Sequence, residues 1–160
     1  MTLSPPSRPG GAGIADDGPG PLRMVTVSLL ADKDYLALAR TTAMHVGALL
    51  CYPLARVAEL RLAVNEACVC FLDPAARRRA QAGDGAAPPG VMELSYDQVF
   101  IAYGPDVLHV TIRAAVDEGW PAVDELGWML LRTLVEDVRV RVRNGLGELT
   151  LVLPLPSGAD

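Results

Sequence analysis

The chain has 160 residues, 51% of them hydrophobic, and a formal net charge of -5; it can bury one sizeable core and hardly two, and its acidic balance argues against a nucleic-acid footprint. Three cysteines, an odd number without paired spacing, fit a reducing cytosol better than a disulfide scaffold. No apolar run approaches the roughly 20 residues of a membrane span, and the N-terminus lacks a signal-peptide core, so a cytoplasmic protein is expected.

Residues 1–22 are rich in Pro and Gly and carry few large apolar groups to offset the cost of ordering. They are expected to form a disordered tail before a domain over residues 23–156. Apolar residues at helical spacing predict helices over residues 35–50 and 54–72, broken at Tyr52-Pro53. The run Arg77-Arg78-Arg79 reads as a solvated helix end, and residues 84–90, Asp-Gly-Ala-Ala-Pro-Pro-Gly, as a loop leading into the sheet.

Strict alternation over residues 108–113 and 138–143 predicts strands with one face on the core. Asn144-Gly145 predicts a turn, and renewed alternation from Glu148 to Leu153 closes a hairpin. A helix carrying Trp128, Met129, Leu130 and Leu134 as core precedes that hairpin. Strand, two helices, strands, helix and hairpin predict an α/β two-layer sandwich, with helices packed on one face of a mixed, largely antiparallel sheet.

The segment Leu60-Arg61-Leu62-Ala63-Val64-Asn65-Glu66-Ala67-Cys68-Val69-Cys70 resembles the N box of the anti-sigma-factor serine kinases. These belong to the GHKL group, with the Bergerat or histidine-kinase-like ATPase fold. The resemblance extends in the family's order from about Val25 to Pro154. Residues 25–29 and 34–40 resemble the first strand and helix, Ala115-Val116-Asp117-Glu118-Gly119 the first glycine box, and residues 126–138 the helix after the second. It implies that Glu66 stands at the position of the base toward the acceptor hydroxyl. Cys70 stands where the family keeps an Asn that coordinates the magnesium of ATP. A thiol is a poor ligand for Mg²⁺, which takes hard oxygen donors.

The resemblance further implies that Asp117 and Gly119 form the adenine-binding core. Of the phosphate-binding glycines only Gly127 remains, in the run Asp124-Glu125-Leu126-Gly127. Two carboxylates there would each repel a phosphate charge about 4 Å away by roughly 1 kcal/mol in water and up to about 4 at an effective dielectric near 20. They suit the helix itself as a cap and as complements to its dipole. Residues 120–126 also make a short connection where relatives have a closing lid.

The expected function is therefore that of a degenerate relative, a pseudokinase without a required cofactor that acts by protein binding. It would sequester a sigma factor or be held by a STAS-type anti-anti-sigma protein in a partner switch. Arg40, on the first helix, matches the family's partner-binding Arg. The rival expectation is an active serine/threonine kinase using ATP and Mg²⁺, and a third is an oligomeric scaffold such as a homodimer.

About 100° per residue places Glu59, Glu66 and Cys70 on one side of their helix and Arg61 and Asn65 roughly opposite. Cys68 and Cys70 point about 200° apart on that helix. With His45 and His109 remote from each other in sequence, no metal site is expected, and both cysteines read as core packing.

Overall fold

The computed structural model describes residues 20–121 and 125–157. In chain order the elements are β1 (Leu22–Leu30), a 3₁₀ turn (Lys33–Tyr35), α1 (Leu36–Leu49), α2 (Leu54–Ala82) and a 3₁₀ turn (Gly83–Gly85). They continue with β2 (Val91–Val99), β3 (Val107–Ala115), α3 (Glu125–Leu134), β4 (Asp137–Arg143) and β5 (Leu146–Pro154). The α/β chain thus builds one five-stranded sheet and three helices, with strand order β1-β2-β3-β5-β4.

All four pairings are antiparallel, so the sheet is not mixed as the sequence reading had it. The α1–α2 hairpin supplies the reason. Two helices laid side by side return the chain to the end of the sheet it left, where the Ala31 amide donates to the Gly90 carbonyl at 2.7 Å. β2 therefore starts beside the end of β1 and runs back along it.

Alternation decides which face is covered. Met92, Leu94 and Tyr96 of β2, Leu108, Val110 and Ile112 of β3, and Leu149, Leu151 and Leu153 of β5 join one core with Val46 of α1, Leu60 and Val64 of α2 and Leu131 of α3. The opposite face carries Asp97, His109, Arg113, Glu148 and Thr150 around a polar groove of about 340 Å³. Helices against one sheet face are what a two-layer sandwich requires. The β4–β5 turn has positive φ at both Asn144 (50°) and Gly145 (73°), the geometry that lets two residues join twisted strands.

Two boundaries differ from the sequence reading. β1 begins at Leu22, inside the segment assigned to the tail. α2 runs to Ala82, past Pro74, ten residues beyond the expected stop at Leu72. The arginine run is not simply a solvated end. Arg79 binds Asp32 in the β1–α1 connection at 2.8 Å, and Arg78 binds Asp117 after β3. These two pairs tie the last turns of α2 to loops on either side.

Candidate functional site

Pro74 is the local cause of the site's geometry. A proline has no N–H, so inside a helix it leaves the carbonyl four residues earlier without its usual donor. Here that carbonyl belongs to Cys70, and the indole Nε1 of Trp120 donates to it at 2.9 Å. The ring of Trp120 also lies against Phe71, with centroids 4.6 Å apart and planes tilted by 34°. On its other side the sheet comes close. A Cβ added to Gly147 of β5 would fall 2.9 Å from Trp120 Cζ3 and 2.7 Å from Val116 Cγ1. Trp120 is thus wedged between α2 and β5 and is 8% exposed.

The turn before Trp120 carries the two residues expected to hold adenine. The Trp120 amide donates to the Asp117 carbonyl at 3.2 Å, and Gly119 takes a φ of +85° within that turn, where a side chain would be strained. Gly119 therefore serves the turn, with open space where its Cβ would lie. The Asp117 carboxylate pairs with the Arg78 guanidinium. What remains between the turn and α2 is a shallow cleft of about 250 Å³ lined by Pro74, Arg77, Arg78, Gln81, Asp117 and Trp120 among others.

Glu66 and Cys70 lie one turn apart on α2, both half-buried, and the Cys70 thiol donates to the Glu66 carbonyl at 3.3 Å. Asn65 does not point away from Glu66 as the wheel geometry suggested. Its Nδ2 donates to Glu66 Oε1 at 3.1 Å, while its Oδ1 accepts from Arg40 Nη1 at 3.2 Å. Asn65, an amide with one donor group and one acceptor, joins the two residues that the sequence assigned to different tasks. Arg40 is accordingly half-buried across the α1–α2 seam.

Gly127 and Glu125 lie in the first turns of α3; Asp124, the other carboxylate of the expected anionic nest, lies outside the described residues. The candidate residues thus fall into two groups along α2. Arg40, Asn65 and Glu66 form one hydrogen-bonded chain, and Asp117, Arg78, Trp120 and Cys70 form the other. Sequence reasoning missed Asn65, Pro74, Arg78 and Trp120 as members. A proline four residues after Cys70, inside a helical pattern, was the signal that a carbonyl there needs an outside donor.

Cys68 is fully buried, and burial, helped by the nearby Cys70 thiol, pushes its pKa up to about 12. It stays a neutral thiol, inert in the core. Beside it, burial foremost raises the pKa of Tyr96, whose hydroxyl is enclosed without a hydrogen-bond partner among the described residues. Cys51 is exposed with φ 57° between α1 and α2. His45 is exposed on α1 and His109 lies on β3. Among the described residues, no cluster of His, Cys, Asp and Glu is placed to hold a metal ion, and no helix is long and apolar enough to cross a membrane. The sequence matches no family model and no curated protein.

Proposed function

We propose that this chain is a protein-binding regulator resembling the anti-sigma serine kinases, on a histidine-kinase-like ATPase fold whose nucleotide cleft is closed by its own side chains. The observation that carries the reading is Trp120. It fills the space between α2 and β5 and donates to the carbonyl of Cys70, while Arg78 engages the carboxylate that adenine would need. Phosphoryl transfer depends on positioning of the phosphates, the metal and the nucleophile. A Cys at the magnesium position and carboxylates at the phosphate position work against the first two. The partners under this reading are a sigma factor or a STAS-type anti-anti-sigma protein, met through α1 and Arg40.

Two measurements test it together. Co-purification from the native host should bring down a sigma factor or a STAS protein, and calorimetric titration with Mg²⁺-ATP should give very weak binding or none. Cys70→Asn alone should not rescue tight binding, since Trp120, the Arg78–Asp117 pair and the carboxylates remain. A dissociation constant at or below the low micromolar range would overturn the reading in favour of an active kinase.

A further inference from the structure

We propose that the outer edge of β4 accepts an extended acidic segment of another protein as an added strand. β4 ends the sheet and is paired only with β5, so its outward backbone groups have no strand partner among the described residues. An edge of this kind is a template for main-chain pairing, with side chains at alternate positions setting the choice of partner.

The register gives those side chains. Arg139 lies opposite Thr150 and Arg141 opposite Glu148, both on the polar face, whereas Val138 and Val140 lie opposite Leu151 and Leu149 on the core face. Arg143 continues the polar series and Val142, 49% exposed, the apolar one. Arg139 is engaged by Asp137 at 2.8 Å; Arg141 and Arg143 have no ion pair among the described residues. In a chain of net charge -5, three guanidinium groups at every second position of one exposed edge form a local cationic stripe.

An added strand sets its residues directly beside those of β4, where opposite charges attract and like charges repel. The complementary segment alternates Asp or Glu beside the arginines with apolar residues beside the valines. A second copy of this chain does not fit. Antiparallel pairing of β4 with β4 about Val140 sets Arg139 against Arg141 and leaves only Asp137 facing Arg143, and the other sheet edge, β1, reads Leu-Arg-Met-Val-Thr-Val-Ser-Leu-Leu without a carboxylate. The stripe discourages self-association while favouring an acidic partner.

The test uses the whole chain and a short labelled peptide alternating Val and Glu. Controls are a Val–Lys alternation, a peptide of the same Val and Glu content in two blocks, and a single-stranded oligonucleotide. Binding of the Val–Glu alternation, with slowed amide exchange confined to residues 137–143, is expected. Arg141→Glu with Arg143→Glu should weaken it at least about ten-fold and confer binding of the Val–Lys peptide, with circular dichroism confirming the fold. The milder Arg141→Gln with Arg143→Gln should show the loss without the gain. No binding of the alternating peptide, equal binding of the blocked peptide or the oligonucleotide, or binding without protection of β4 would overturn the proposal.

Discussion

The indole N–H of Trp120 takes the place of the backbone N–H that Pro74 cannot offer to the carbonyl of Cys70, at 2.9 Å. Helix α2 continues past the proline to Ala82, and the loop after β3 is fastened to the helix at that point. One bond joins the passage of α2 past Pro74 to the placement of the loop after β3.

That substitution can be measured. Trp120→Phe keeps a ring beside Phe71 but removes the indole donor to the Cys70 carbonyl, and should destabilise the domain by about 1–3 kcal/mol. Pro74→Ala supplies a competing N–H. In that background Trp120→Phe should cost about 1 kcal/mol less, read as the coupling energy of a urea-unfolding double-mutant cycle. Equal costs in both backgrounds would show that the indole bond does not compensate for the proline.

Gly147 leaves room for Trp120. Gly147→Ala inserts a methyl at 2.7 Å from Val116 and 2.9 Å from Trp120, so the loop must shift. We expect a loss of about 1–3 kcal/mol and a red-shifted Trp120 emission, recorded in a Trp128→Phe background. An unshifted spectrum with unchanged stability would place Trp120 elsewhere in solution.

Arg40 is the residue through which partner binding should be felt. Under the proposed function, Arg40→Glu should weaken the identified partner about 30-fold, on the order of 2 kcal/mol. Because Arg40 donates to Asn65, Asn65→Ala should also weaken binding, by releasing the guanidinium from its oriented state. Glu66→Gln should leave binding nearly unchanged, since the side chain keeps an acceptor for Asn65. Isotherms with the co-purified partner separate these cases, and circular dichroism serves as the folding control. Full affinity in a folded Arg40→Glu variant would move the interface away from α1.

His109 should make stability depend on pH in a defined window. Burial, with Arg139 nearby, lowers its pKa in the fold below the ordinary 6.5, against smaller opposing effects of Asp97 and Asp137. The unfolded chain then binds the proton more readily. The contribution is full above about pH 6.5 and is lost as the pH falls from there through the lower folded value. Asp137, held down chiefly by its hydrogen bond from Arg139, and Asp32, held down first by the Asp34 amide and then by Arg79, act in a separate window at and below the carboxylate value of 3.8. His109→Gln should flatten the denaturation midpoint between about pH 7 and 5 while leaving the acid limb intact.

Periodicity in the sequence determined the local elements: the α1–α2 hairpin broken at Tyr52-Pro53, the alternating strands β3, β4 and β5, and the turn at Asn144-Gly145. Each depends on neighbours a few residues apart, through side-chain direction and turn geometry that the backbone repeats everywhere. Only the tertiary structure decided that the sheet is antiparallel throughout, that α2 passes Pro74, that Arg78 and Arg79 clamp loops, and that Arg40 meets Glu66 through Asn65. Those outcomes depend on partners far along the chain: 50 residues separate Trp120 from Cys70, and 25 separate Arg40 from Asn65. The loss of a helical donor is visible in the sequence once a proline sits in a helix, but the indole that donates in its place is chosen by packing.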